Sequence, residues 1–251
     1  MHGLALALAF APLSPLLLLQ GLKVRRDTPR LAPAAGPAGG ICGARSRLRP
    51  LRLVAVGEST VAGVGATSHK QALSGQVAAR IAVLTGRTVA WSAYGLSGAS
   101  VSVAHRTLLP AIAVEAADLL LVVFGVNDVL EHTRAARYAQ QLQALIGALR
   151  ERVGDAPVLI AAAPPMASFP SLPRPLNSYL GARAALLNRA VRRISIERAA
   201  QVAPVLRIEP ALFAGDGFHP SPAGYTVWAE SLAQAALEHR FIDAAIRAPA
   251  A

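Results

Sequence analysis

The chain predicts an α/β fold, a three-layer α/β/α sandwich built on a five-stranded, mostly parallel sheet. From Leu51 onward, short aliphatic runs alternate with longer stretches of helical apolar spacing, and the alternation recurs five times. The most apolar run, LLLVVF after Asp118, lacks any polar alternation, as a central parallel strand covered on both faces requires. Apolar residues also make up 53% of the 251 residues, enough to bury one core of roughly 200 residues.

The elements follow in order. Gly3 to Leu22 is uncharged and apolar, and Lys23, Arg25, Arg26 and Arg30 come directly after it. Its length just spans a bilayer core, although Pro12 and Pro15 would kink it. Residues 1–30 are thus expected to be a membrane anchor, or alternatively a cleaved signal segment that would export the chain. The absence of Lys or Arg before the apolar part, and a small-residue site only beyond the basic cluster, near Ala32 to Ala35, favour an uncleaved anchor, and the basic flank on the carboxyl side then predicts the main domain on the cytoplasmic face. Residues 31–50, rich in Ala, Gly and Pro, read as a linker of little regular structure. The main domain covers 51–240 and leaves a tail at 241–251.

Within that domain Leu53 to Val56 is a buried strand that stops at Gly57. Gln71 to Leu84 is helical and stops at Gly86, Thr88 to Ala93 is a strand, and Val101 to Val114 is helical until Pro110 disturbs it. After the LLLVVF strand come a helix from Thr133 to Arg152 capped by Thr133, a strand at Pro157 to Ala163 and a basic amphipathic helix at Asn177 to Ala200. A short strand at Val205 to Ile208 and a helix at Ser221 to His239 close the domain.

Composition narrows the function classes. The formal charge of +11 rests on scattered arginines, and no basic run is interleaved with aromatics, so nucleic acid is not the expected partner; an anionic membrane surface fits better. The single cysteine, Cys42, forms no internal disulfide and has no neighbours spaced for a metal site. His69, His105, His132 and His239 lack spaced ligand partners and read as surface or cap residues.

Four polar pieces fall at strand ends, the edge where parallel sheets gather their sites. Ser59 follows the first strand, Gly95-Leu96-Ser97-Gly98 the second and Gly125-Val126-Asn127-Asp128 the third, while Asp216-Gly217-Phe218-His219 precedes the last helix. Singly, each has an ordinary explanation as a turn or a cap. Together they suit acyl transfer. A serine hydroxyl needs a base, which His219 supplies, and the imidazole needs an acceptor on its other nitrogen, which Asp216 supplies from the same turn. Backbone N–H groups at Ser59 and Gly98 and the Asn127 amide would receive the developing oxyanion. The GxSxG elbow of another hydrolase class is absent because Val61 holds its last position, and neither a dinucleotide loop nor a GK[ST] phosphate loop is present.

The blocks GES (57–59), the glycine turn 95–98, GVND (125–128) and DGFH (216–219) together resemble those of the SGNH, or GDSL-type, hydrolases, in matching order from Leu51 to about Leu237. The resemblance implies a flavodoxin-like sandwich and hydrolysis of carboxylic esters or thioesters, lysophospholipase- or arylesterase-like, through an acyl-serine and without a cofactor. It implies Ser59 as nucleophile, Gly98 and Asn127 as oxyanion donors, His219 as base and Asp216 as its orienting acid. Glu58 stands where the family usually carries Asp, and Ala93 where many members carry Asn. The same residues would serve a carbohydrate O-deacetylase or an acyltransferase, and a binding protein on this fold is the reading from another class. The Pro-rich segment 164–180 is too apolar for an ordinary surface loop, and Met166, Phe169, Leu172 and Tyr179 are expected to line the acyl pocket of a small-molecule or lipid-like ester.

Overall fold

A computed structural model describes residues 2–44, 48–114, 116–195, 200–205 and 209–238. Two helical stretches, α1 (His2–Phe10) and α2 (Ser14–Asp27), are joined by a 3-10 turn at Ala11–Leu13, where Pro12 removes an N–H and bends the axis. The strands are β1 (Gly39–Cys42), β2 (Leu51–Gly57), β3 (Val89–Gly95), β4 (Leu119–Val123), β5 (Val158–Ala161) and β6 (Ala200–Val202). The remaining helices are α3 (Leu73–Thr85), α4 (Val101–Thr107), α5 (Val126–Leu130), α6 (Ala135–Val153), α7 (Leu176–Ser195) and α8 (Pro222–Glu238).

The sheet order is β1-β3-β2-β4-β5-β6, with every pair parallel except β1 against β3. Side chains alternate across it. Leu53, Ala55, Leu119, Leu121 and Leu159 join α3 and α8 in one core. Val54, Val56, Leu120, Val122 and Ile160 join α4, α6 and α7 in the other. The three-layer sandwich is therefore as expected, with β2, which delivers Ser59, between β3 and β4. The chain reverses its direction of growth across the sheet there, so the loops at that edge splay apart and leave a crevice.

Four details differ from the expectation. The sheet has six strands, because Gly39–Cys42, inside the anticipated linker, pairs antiparallel with β3 through Gly40 opposite Trp91. Alternation arguments miss such a strand, since two glycines and an exposed Ile41 carry no burial pattern. The same segment reaches the nucleophile loop, where Ala34 donates its N–H to Ala62 O at 3.0 Å. The last short strand lies at Ala200–Val202; the anticipated Val205 to Ile208 falls mostly outside the described residues, as do His239 and the tail. The helix expected over Val101 to Val114 is shorter, ending at Thr107 before a 3-10 turn at Leu109–Ala111 that contains Pro110. Finally, α6 starts at Ala135 without a side-chain cap: Tyr138 N–H closes the first turn on Arg134 O, and Thr133 is held by Asp128 O instead.

Asp118, at the amino end of β4, is buried and receives both Arg49 (2.7 and 2.9 Å) and the N–H of Arg52 (2.8 Å). Burial opposes its charge, but these donors outweigh burial and hold its carboxyl below the usual range.

Candidate active site

Ser59 lies just beyond Gly57, the last residue of β2, in a loop where Val61 and Ala62 both donate to Glu58 O and Val64 donates to Ser59 O. Residues this small let the chain turn within a few positions. Gly95, the last residue of β3, faces the backbone of Val61 and Ala62 so closely that a Cβ would collide with main-chain atoms. Gly98 has φ +80°, a conformation side-chain-bearing residues rarely adopt, in open space where a ligand can approach the backbone.

The Asp216–His219 turn is organised by the aspartate itself. Its Oδ1 accepts the N–H groups of Phe218 (2.9 Å) and His219 (3.0 Å), and its Oδ2 lies 2.6 Å from His219 Nδ1. Burial penalises the Asp216 charge, yet the donors from His219 and Phe218 win and keep the carboxyl below its ordinary range. It is therefore a carboxylate at neutral pH, so His219 carries its proton on Nδ1 and leaves Nε2 as an acceptor. That Nε2 lies 2.9 Å from Ser59 Oγ. Among the described residues, the N–H groups of Ser59 and Gly98 have no acceptor.

Asn127 sits in the first turn of α5. Its Nδ2 donates to Glu58 Oε2 at 2.6 Å and points at Ala99 O, next to Gly98, at a looser 3.3 Å. The longer carboxylate at position 58 also accepts the N–H groups of Val126 (3.2 Å) and Asn127 (3.1 Å), tying the nucleophile loop to the Asn127 loop. This clamp had only a faint signal in the sequence, the glutamate standing where the resemblance led one to expect aspartate. Asp128, fully buried, accepts Val101 N–H at 3.2 Å and fixes the start of α4 beside the glycine turn.

Burial raises the Glu58 carboxyl to about 7, in spite of its N–H donors. A folded-state value above the unfolded one means that this group favours folding below pH about 4.5 and loses that contribution as pH rises through about 7. Glu58→Gln should flatten that slope. Urea unfolding between pH 5 and 8 is expected to show the wild type losing a few kcal/mol more than the variant. Parallel curves would contradict this.

The cleft beside Ser59 is apolar and small, a cavity of about 30 Å³. Phe169, Phe213, Phe218 and Trp228 line it with Ser59 and His219. Phe169 packs edge-on to Phe213 and Phe218, with ring centroids 5.3 and 5.1 Å away, and Ser171 donates to Gly217 O, so the Pro-rich loop lies against the histidine turn. Of the four apolar residues expected around the acyl group, Phe169 stands at this cleft. Met166 and Leu172 are buried in the core, and Tyr179 is on α7, its ring tilted against Phe10 with centroids 5.3 Å apart. Phe213, Phe218 and Trp228 were missed, although Phe218 adjoins His219 in sequence. Among the described residues no cluster of His, Cys, Asp or Glu is arranged to hold a metal.

Comparison with known proteins places this arrangement. Residues 55–227 match the family model for the GDSL-like lipase/acylhydrolase family. The GDSL-like esterase Rv1075c of Mycobacterium tuberculosis is 27% identical over 192 residues, covering 72% of this chain and 60% of that protein. The chain thus spans about three-fifths of the length of this relative. In fold it is similar to the lipase Lip_vut3 from a goat rumen metagenome (TM-score 0.60, 18% identity, 74% of this chain and 97% of that one). It is likewise similar to the lipase/acylhydrolase from Enterococcus faecalis (TM-score 0.58, 19% identity, 74% and 95%). With a family model matched over most of its length, on a six-stranded α/β/α sandwich, the chain belongs to the GDSL-like lipase/acylhydrolase family.

Proposed function

We propose that this protein is a serine esterase that cleaves carboxylic esters of short acyl groups through an acyl-enzyme on Ser59. The observation that carries the reading is the continuous relay from Ser59 Oγ through His219 to Asp216, at 2.9 and 2.6 Å. His219 Nε2 takes the hydroxyl proton as Ser59 Oγ bonds to the ester carbon, and then returns it to the departing alcohol oxygen as the carbon–oxygen bond breaks. Water repeats the sequence, its proton going to His219 and then to Ser59 as the acid leaves. Asp216 stays ionised and supports the imidazolium. The N–H groups of Ser59 and Gly98 stabilise the tetrahedral oxyanion. Asn127 joins them by exchanging its loose 3.3 Å contact with Ala99 O for the substrate oxygen, while Glu58 holds its other N–H.

The small aromatic cleft favours acetyl-sized over long acyl chains. The test is hydrolysis of p-nitrophenyl esters from acetate to palmitate by the full chain in mild detergent. The expected kcat/KM is highest at two to four acyl carbons, and Phe169→Ala shifts the optimum toward longer chains. A wild-type maximum at eight carbons or more would favour a lysophospholipase-like enzyme instead. An unshifted profile in a folded Phe169→Ala variant would remove Phe169 from the acyl site.

A further inference from the structure

The N-terminal segment does not stand away from the domain. Ala5–Asp27 is long and apolar enough to cross a membrane, with a mean hydropathy of 1.8, yet it lies along α7. The Phe10 ring lies tilted against Tyr179, Leu17 and Val24 pack against the core, and Gln20 bridges Arg174 O (2.6 Å) and Leu176 N–H (3.1 Å). Leu8, Leu18, Leu19 and Leu22, each more than half exposed, face away from the domain. A segment docked on one face and apolar on the other suits lying in a membrane surface better than crossing one.

Beside it runs a groove of about 1050 Å³ between α1 and the neighbouring faces of α6 and α7. Its floor is apolar, with Ala139, Leu186 and Leu187, and four arginines line it: Arg134, Arg183, Arg189 and Arg193. No carboxylate is among its lining residues, and none of the four arginines is ion-paired among the described residues. Arg183 donates to Val129 O and Thr133 O and lies over the Tyr179 ring, with no carboxylate partner among the described residues. Four guanidinium charges in a groove bordered by α1, in a segment that exposes leucines, are complementary to one kind of surface, anionic headgroups above acyl chains.

We propose that this face binds an anionic lipid bilayer, with the outward leucines entering the acyl layer and Arg134, Arg183, Arg189 and Arg193 meeting lipid phosphates. Phosphates are thus the ligand and the bilayer is their source. The test is flotation of the full chain with vesicles of phosphatidylcholine alone or with 30% phosphatidylglycerol. At 0.1 M NaCl the wild type should bind the anionic vesicles at least tenfold more tightly, and Arg134→Glu/Arg189→Glu/Arg193→Glu should abolish that preference while retaining the weak binding to neutral vesicles. Hydrolysis of soluble p-nitrophenyl acetate should be unchanged in the variant, which reports its folding separately. If the variant misfolds, the wild type itself decides, since 1 M NaCl must erase its preference for anionic vesicles. Equal binding to both vesicles, a salt-insensitive preference, or a folded variant that keeps it would overturn the proposal. Absence of esterase activity in a wild type that prefers anionic vesicles would refute the proposed reaction and leave the lipid face standing.

Discussion

Replacing Ser59 with alanine is expected to lower kcat by roughly five to six orders of magnitude with little change in KM. In the proposed reaction the hydroxyl oxygen becomes covalently bound, and no other hydroxyl is hydrogen-bonded to His219 among the described residues. Removing Oγ leaves the cleft and the oxyanion donors in place, so binding persists while the bond-forming step disappears. A fluorophosphonate supplies an independent readout. Its phosphorus should be transferred to one site on the wild type, seen as a single adduct by intact mass and mapped to Ser59, and to none on Ser59→Ala. Residual turnover within tenfold of wild type, or labelling elsewhere, would mean that another group is the nucleophile.

The second large effect is expected at Asp216→Asn, a loss of about 10⁴ in kcat. The asparagine oxygen can still accept the N–H groups of Phe218 and His219, so the turn should keep its shape. The amide nitrogen, however, would present a donor to His219 Nδ1, forcing the ring proton onto Nε2. A protonated Nε2 cannot accept from Ser59, and the base is lost with its position unchanged. Stability should move far less than activity, which separates this outcome from misfolding. A ring-proton NMR signal from the Nδ1–H of His219, downfield in the wild type and absent in the variant, reports the tautomer directly. A variant within about tenfold of wild-type kcat would show that Asp216 only shapes the turn.

Much of this architecture was legible before the fold was seen. The aliphatic runs at Leu53 and Leu119 announce central strands because a parallel strand buried on both faces has no room for polar residues. Ser59, Gly98, Asn127 and the Asp216–His219 pair stand out as candidates in the sequence because each follows a strand or precedes a helix at one sheet edge. In Asp216 and His219 the geometry is nearly local, since three residues of separation suffice for the aspartate to bind both the ring and two backbone N–H groups. The strand at Gly39–Cys42 escaped notice, as its pairing with β3 depends on backbone hydrogen bonds that glycine offers without any pattern of burial.

Other features depended on the folded chain alone. Phe169 lies in a different segment from Phe213 and Phe218, and only packing of the Pro-rich loop onto the histidine turn joins them into an aromatic cleft. The role of Glu58 needs the Asn127 loop, 69 positions away, to bring its donors within reach. The N-terminal segment is the sharpest case. Hydropathy marks it as able to meet a membrane, but its direction relative to the domain follows from Gln20 reaching backbone atoms more than 150 residues away. Sequence by itself determined the layers and singled out the candidate reacting groups, which rest on local patterns and nearby hydrogen bonds. Cleft size, the Glu58 clamp and the arginine face came from tertiary structure, because each is a contact between segments whose separation along the chain carries no periodic signal.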